Sequence, residues 1–266
     1  MEQEQVVRSR VRYRIEPDCW AEAYVLKPIY QRGRLPGVIA FHSTVPETMR
    51  QPAGIEGEPE KAFGLRLAQQ GYVALCPRCF LWDDGHRHFF SWHARRQVRK
   101  LQRRHPGARG MAKMLHDARV GLDVLASLPE VDEARLGAVG HSLGAKQVLY
   151  LTAFDERVRV AVSSEGGIGR SFSNWSAPWY LGKDRCVEDA ERDHHELLAL
   201  IAPRAFLLIG GDSADGEHSR PFIDATLPVY RLYDQPPRIE LFNHQKGHTV
   251  PPEAERRIYD WFDAYL

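Results

Sequence analysis

The sequence predicts an α/β protein with a doubly wound, mostly parallel sheet and an N-terminal antiparallel hairpin. Short, continuously apolar runs of the kind found in strands covered on both faces recur along the chain. Amphipathic helical patterns separate these runs. The first thirty residues instead alternate apolar and polar side chains, which is typical of a hairpin with one buried face. A chain of 266 residues can bury one shared core, so we expect a single domain over 1–266.

The predicted elements follow one another in a regular order. In the first strand of the hairpin, apolar side chains share the odd-numbered positions, at Val7, Val11, Tyr13 and Ile15. Strands are then predicted at 38–41, 72–76, 135–139, 158–163, 205–209 and 238–242. Helices are predicted at 61–70, 111–127, 145–153 and 221–233. A terminal helix is expected to bury Ile258, Trp261, Phe262 and Tyr265.

Three long segments carry neither pattern, and each follows a predicted strand. They are 42–60, 78–110 and 164–193. Because the carboxyl ends of parallel strands share one rim, where ligands bind in such sheets, these segments should emerge there. We therefore expect the insertions, chiefly 78–110 and 164–193, to shape a pocket.

The composition argues against several classes of protein. Apolar residues make up 43% of the chain and charged residues 27%, with a formal charge of +1, so neither disorder nor a general nucleic-acid binder is predicted. No apolar stretch reaches the roughly 18 residues of a membrane span, and the polar, acidic start lacks the apolar core of a signal peptide. We expect a soluble, cytoplasmic protein that binds neither membranes nor nucleic acid.

The segment Gly140-His141-Ser142-Leu143-Gly144 matches G-x-S-x-G, between a predicted strand and a predicted helix. A sharp strand-to-helix turn exposes the serine hydroxyl, and glycines on both sides leave room for the neighbouring chain. Free N–H groups at the helix start favour a developing negative charge. This context predicts that Ser142 is a nucleophile.

A serine hydroxyl needs a base, which in this arrangement comes late in the chain. His248 follows the last predicted strand and Gly247, and precedes the terminal helix; His244 is the competing residue. An acid should orient the imidazole. Asp215 ranks first, Glu165, after the preceding strand, is the alternative acid, and Asp212 ranks third.

The oxyanion formed on acyl attack requires two preorganised N–H donors. Leu143, directly after the nucleophile, supplies the first. The second should come from the loop after the strand at 38–41, where Thr44 is preferred over Ser43.

Two polar clusters have other interpretations. A group of acids and histidines lacks metal-ligand spacing, so no metal or other cofactor is predicted for Asp83, Asp84, His86, His88 and His93. A basic run over 95–109 could hold an anionic substrate, a phosphate backbone or an acidic partner, but a solvated helix face is the preferred interpretation. That run comprises Arg95, Arg96, Arg99, Lys100, Arg103, Arg104 and Arg109.

These motifs resemble the α/β-hydrolase superfamily, and within it the dienelactone-hydrolase-like and acetyl-xylan-esterase-like branch. The approach Leu128-Pro129 to Gly140-His141-Ser142 and the loop Gly247-His248 carry the resemblance. It implies ester hydrolysis through an acyl-enzyme. Dienelactone hydrolases use cysteine where this chain has Ser142, which favours a plain esterase. Glu165-Gly166-Gly167 also resembles the glutamate loop of glucuronoyl esterases.

The sequence thus predicts a serine esterase that cleaves a small-molecule carboxylic ester. One alternative is a peptidase or amidase that uses the same three side chains. The other is a non-catalytic binding protein that recruits a partner through the basic 95–109 segment.

Overall fold

The computed structural model describes residues 5–30, 32–82, 91–183 and 192–266. Within these ranges eight strands form one sheet: β1 (Val6–Glu16), β2 (Cys19–Pro28), β3 (Leu35–Phe41), β4 (Val73–Pro77), β5 (Val131–His141), β6 (Val158–Ser164), β7 (Ala205–Gly210) and β8 (Ile239–Asn243). The helices there are α1 (Phe63–Gln69), α2 (Ser91–Arg104), α3 (Gly110–Ser127), α4 (Leu143–Phe154), α5 (His195–Ile201), α6 (Arg220–Tyr230) and α7 (Pro252–Tyr265).

The strand order confirms the predicted doubly wound sheet. It runs β1-β2-β4-β3-β5-β6-β7-β8. β1 pairs antiparallel with β2, and β2 pairs antiparallel with β4. All remaining pairs, from β4-β3 to β7-β8, are parallel. The predicted N-terminal hairpin is therefore present and extends one edge of the parallel sheet.

Helices cover both faces of the sheet, and β3, β4 and β7 accordingly carry no charged residue on either face. In β3, Val38 and Ala40 face one apolar cluster, whereas Ile39 and Phe41 face another. The first cluster includes buried side chains of α1 and α7. The second includes side chains of α3, α4, α5 and α6. Burial on both faces explains the continuous apolar runs in the sequence.

Two features depart from the sequence prediction. The segment 78–110, predicted without regular structure, contains the helix α2, whose Val98 and Leu101 are buried while Arg95 and Arg99 are exposed. Tyr265 was predicted to be buried and is 36% exposed, so that prediction is wrong. It lies in the last turn of α7, and its ring contacts that of Trp261 at a centroid distance of 4.7 Å.

A third apolar cluster lies over the rim of the sheet. It joins the segment after β4, the inner face of α2 and the segment after β6. Its members include Trp82, Val98, Leu143, Trp175, Trp179 and Tyr180. The long segments that lacked a periodic pattern are thus packed against the residue that follows Ser142. No helix in the described part of the chain is both long and apolar enough to cross a bilayer.

Candidate active site

Ser142 occupies the predicted turn between β5 and α4. Its φ of 58° and ψ of −112° lie outside the ordinary regions for a residue with a side chain. Strain of this kind costs about 1–3 kcal/mol and is found at functional sites. The Ser142 N–H donates to the carbonyl oxygen of Ser164 at 2.8 Å, which fixes the turn against the end of β6.

Both glycines of the motif are required by close approach of the backbone. A Cβ on Gly140 would lie 2.5 Å from the carbonyl carbon of Gly144. A Cβ on Gly144 would lie 2.6 Å from the carbonyl oxygen of Phe41, at the end of β3. The chain can therefore place Ser142 at this rim only if both positions lack a side chain.

His248 lies on the loop between β8 and α7, next to the Ser142 turn. Its ring is 4.5 Å from that of His141, between centroids, and His141 directly precedes Ser142. Gly247, with φ of 75°, lets the loop turn before His248. The competing residue His244 is 8% exposed, and its Nδ1 accepts the N–H of Lys246 at 3.1 Å. His244 is thus held within its own loop.

Glu165, the first residue after β6, contacts the imidazole of His248. Its Oε2 is 3.0 Å from His248 Nδ1, and its side chain is fully buried. Backbone N–H groups of Gly211 and Ala214 donate to the same carboxylate at 2.5 and 2.8 Å. Burial alone would raise the pKa of Glu165, but His248 and these N–H donors outweigh it, so the pKa is lowered. A carboxylate held in this way can orient Nδ1–H and leave Nε2 available as a base.

Asp215, the acid ranked first from the sequence, does not contact His248. Its carboxylate accepts the N–H groups of Gly167 and Ile168, each at 2.7 Å, and the Ser219 hydroxyl at 2.9 Å. Burial, together with the nearby Glu165 carboxylate, raises the pKa of Asp215. The structure therefore replaces Asp215 with Glu165 as the candidate acid, and Asp215 braces the loop that follows Glu165.

The third-ranked acid, Asp212, also forms hydrogen bonds that stabilise its own loop. Its Oδ1 accepts from the Asn243 side-chain amide at 2.7 Å and from the Glu217 N–H at 3.4 Å. These bonds tie the loop after β7 to the end of β8.

The two predicted oxyanion donors follow the carboxyl ends of β5 and β3, which are neighbouring parallel strands. Leu143 is the first residue of α4, so its N–H has no acceptor within the helix. Ser43 N–H donates to Gln51 Oε1 at 3.0 Å, so this group is already engaged and Thr44 remains the candidate for the second donor.

His42 fixes the Thr44 loop, a role that the sequence did not suggest. Its Nδ1 is 2.6 Å from the carbonyl oxygen of Ser43, and its Nε2 accepts the Cys79 N–H at 3.0 Å. Burial lowers the pKa of His42 to about 4, despite the opposing hydrogen bond to Ser43. A neutral ring protonated at Nδ1 satisfies both contacts.

Lys146 is the second residue that sequence reasoning missed. Its ammonium group donates to the carbonyl oxygen of Gly166 and, at 3.1 Å, to Ser173 Oγ. It also lies 4.5 Å from the ring centroid of Trp175. Burial lowers its pKa to about 8, against the opposing charge of Asp215. The signal was available, because Lys146 is the only charged residue in α4.

Metal-ligating residues do not converge near Ser142 in the part of the chain that the structure describes. One group of three could in principle hold an ion, namely Glu16, His116 and Asp117. The ammonium of Lys113 already pairs with Glu16 Oε1 at 2.8 Å and with Asp117 at 2.5 Å, so these carboxylates form an ion-pair network. Of the acids and histidines weighed in the sequence, Asp83, Asp84, His86 and His88 lie outside the described residues, and His93 is buried in α2.

The fold and the rim loops together define an α/β-hydrolase. A family model of the dienelactone hydrolase family matches residues 21–186, more than half of the sequence. The chain belongs to the dienelactone hydrolase family. The match includes Ser142 and Glu165 and ends before His248. No match was found among curated proteins.

Solved structures with the same fold include several esterases. A glucuronoyl esterase from Solibacter usitatus superposes with a TM-score of 0.74 at 18% identity, covering 98% of this chain and 82% of that one. A Bacteroides fragilis protein described as an acetyl xylan esterase gives 0.73 at 14% identity, covering 99% and 75%. A methylesterase gives 0.66 at 19% identity and 93% coverage of this chain. The chain spans 52% of the length of that methylesterase.

Proposed function

We propose that this protein is a serine esterase that hydrolyses carboxylic esters through an acyl-enzyme. The observation that carries the proposal is the buried Glu165 carboxylate 3.0 Å from His248 Nδ1, beside the strained turn that bears Ser142. Family membership and esterases among the structural neighbours support ester hydrolysis as the reaction class.

In the proposed mechanism, His248 Nε2 takes the proton of Ser142 Oγ as the oxygen attacks the ester carbonyl. Glu165 holds Nδ1–H and stabilises the imidazolium that forms. The N–H groups of Leu143 and Thr44 bind the oxyanion. When the tetrahedral intermediate collapses, His248 gives its proton to the leaving alcohol and the acyl group stays on Ser142.

Water completes the cycle. His248 Nε2 removes a proton from the water as it attacks the acyl carbonyl, and a second tetrahedral intermediate forms at the same N–H donors. Collapse of this intermediate breaks the bond to Ser142 Oγ, which recovers its proton from His248. The acid is released and the enzyme returns to its starting state.

Turnover of a nitrophenyl ester tests the proposal. We expect Ser142→Ala to lower kcat by about 10³-fold or more. The control is Ser127→Ala, which removes an exposed hydroxyl that donates to the carbonyl oxygen of Val124, and it should leave kcat unchanged. Equal activity of the two variants would refute Ser142 as the nucleophile.

A nitroanilide of the same acyl group separates an esterase from a peptidase or amidase. We expect measurable turnover of the ester and at least about 10³-fold lower kcat/KM for the amide, because an amine is the poorer leaving group and its expulsion requires well-placed protonation. Comparable kcat/KM values for the two substrates would favour the peptidase alternative.

A further inference from the structure

A groove of about 600 Å³ separates α2 from the segment 174–183. On the α2 side the groove is lined by Arg95, Arg99 and Gln102, together with Arg109, the residue before α3. The opposite wall carries Asn174, Ser176, Trp179 and Lys183. The α2 residues recur at helical spacing, so one edge of that helix faces the groove along two turns.

Positive charge predominates among the described residues that line the groove. Four of them are basic and none is acidic. Arg95, Arg99 and Lys183 are exposed, and none of them joins an ion pair with another described residue. Cations gathered in a concave surface concentrate the field and attract anions.

A neighbouring cavity of about 490 Å³ provides the contrast. Two of its arginines, Arg170 and Arg192, are compensated by acidic residues of the same wall. Arg170 lies 3.4 Å from Asp193, and Arg192 lies 3.1 Å from Glu196. The exposed cations Arg95, Arg99 and Lys183 thus distinguish the groove beside α2 from this cavity.

The groove wall is fixed in place and adjoins the candidate active site. The Met111 N–H donates to the carbonyl oxygen of Tyr180 at 3.2 Å. A Cβ on Gly110 would lie 2.1 Å from the carbonyl oxygen of Trp179, so the backbone of segment 174–183 packs directly against the backbone of Gly110. Trp179, which lines the groove, also belongs to the third apolar cluster together with Tyr180 and Leu143. This cluster therefore connects the groove to the residue whose N–H is the first predicted oxyanion donor.

We propose that this groove binds an acidic carbohydrate, a sugar chain that carries carboxylates. Its amide and hydroxyl side chains, on Gln102, Asn174 and Ser176, suit sugar hydroxyls. Single-stranded nucleic acid instead requires exposed aromatic rings on which bases stack. The aromatic ring among the described lining residues, that of Trp179, is only 9% exposed.

The expected substrate of Ser142 follows from the groove and rests on the proposed esterase function. An ester cleaved at Ser142 would belong to the same acidic chain that the groove holds. Charge in the groove would then lower KM for such a substrate and leave kcat for a small neutral ester unchanged.

Binding is tested with the Ser142→Ala protein, so that no probe is hydrolysed. The probe is a short oligogalacturonate, and the neutral control is a xylo-oligosaccharide of equal length, both measured by calorimetry at low salt. We expect the acidic chain to bind and the neutral one to bind at least about tenfold more weakly. Added salt should weaken binding of the acidic chain because the contacts are exposed.

The matched variants are two charge reversals on the same helix. Arg95→Glu/Arg99→Glu changes the groove, whereas Arg96→Glu/Arg103→Glu changes exposed arginines that do not line it. We expect the first pair to weaken binding by about tenfold or more and the second by less than about threefold. Inorganic phosphate and a single-stranded oligonucleotide serve as competing probes.

Four results would overturn the groove proposal. Equal loss of affinity in the two double variants would indicate a nonspecific electrostatic field. Tighter binding of the oligonucleotide would indicate a nucleic-acid site, and displacement of the acidic chain by phosphate at equal charge concentration would indicate an ion site. Absence of binding of the acidic chain would also overturn it.

Turnover of nitrophenyl acetate by the Arg95→Glu/Arg99→Glu protein with intact Ser142 separates the groove proposal from the esterase proposal. If turnover is normal while the acidic chain does not bind, the groove proposal fails and the esterase stands.

Discussion

Two buried carboxylates near His248 have different environments and therefore different roles. Glu165 accepts from His248 and from backbone N–H groups, which favour its ionised form. Asp215 accepts from Gly167, Ile168 and Ser219, but its burial and, to a smaller extent, the Glu165 charge disfavour its ionised form. The first can orient an imidazole during proton transfer, whereas the second fixes the backbone around the first.

Exchanging each carboxylate for its amide separates these roles. Glu165→Gln should lower kcat by about 10²–10⁴-fold because the imidazole loses its anionic partner. It should also lower the free energy of unfolding by about 1–3 kcal/mol, because its amide would face the Gly211 or Ala214 N–H. Asp215→Asn should lower the free energy of unfolding by about 1–3 kcal/mol, because an amide hydrogen would face the Gly167 or Ile168 N–H. Steady-state kinetics and urea unfolding measure the two effects. A larger loss of kcat in Asp215→Asn, with its stability intact, would restore Asp215 as the acid.

The sequence predicted Ser142 and His248 as candidates, but it ranked Asp215 above Glu165 as the acid, whereas Glu165 contacts His248. Chain order allowed an acid after either β6 or β7, and both loops offered one. The choice depends on where a few backbone N–H groups point, and residue types do not specify this. Lys146 and His42 were missed because their roles arise from contacts with Gly166 and Cys79, which are distant in sequence.

At the scale of elements, the turn from β5 to α4 is possible because the chain has glycine where three backbones converge. Gly140 lies against Gly144, and Gly144 lies against the end of β3. This convergence fixes the start of α4, and with it the N–H of Leu143.

A methyl group at Gly140 should therefore be strongly destabilising. Gly140→Ala forces backbone atoms apart, and we expect it to lower the free energy of unfolding by about 3 kcal/mol or more, with loss of esterase activity. Gly107→Ala is the matched control, because its Cβ would meet no atom within 4 Å although its φ is also positive, at 81°. We expect that control to lose about 1 kcal/mol. Similar losses in the two variants, measured by urea unfolding, would show that close approach is unimportant.

Elements were predicted well wherever burial on both faces left a clear apolar pattern. β3, β6 and β7 follow this rule. For the basic run a solvated helix face was the preferred interpretation, but the bounds of α2 and its buried side were not predicted, because many basic residues flank a narrow apolar stripe. Tyr265 followed the helical period, but it lies in the last turn of α7 and is 36% exposed.

At the scale of the whole molecule, one buried ammonium group links the sheet core to the rim. Lys146 extends from α4 to the backbone after β6 and to Ser173, between aromatic rings of the third apolar cluster. Its pKa falls from 10.5 to about 8 because burial disfavours the charged form. The unfolded chain therefore binds more protons than the folded one between these pH values.

This difference gives a signed prediction for global stability. Where the unfolded state binds more protons, stability rises with pH, so the Lys146 contribution should increase from pH 8 to 10.5. The full effect is about 3 kcal/mol, since each unit of pKa shift corresponds to about 1.4 kcal/mol. Urea unfolding of the wild-type protein and of Lys146→Met at pH 7.5 and 10 measures it. The difference in stability between the two proteins should change with pH in this direction, and a constant difference would contradict the account.

The central claim is that Ser142 is activated by His248 at the rim of this sheet. Its most direct test is reaction with a fluorophosphonate, followed by peptide mass mapping of the adduct. The account predicts one adduct, on Ser142, formed quickly by the wild-type protein and at least about 10³-fold more slowly by His248→Ala. An adduct on another residue, or no adduct on folded wild-type protein, would contradict it.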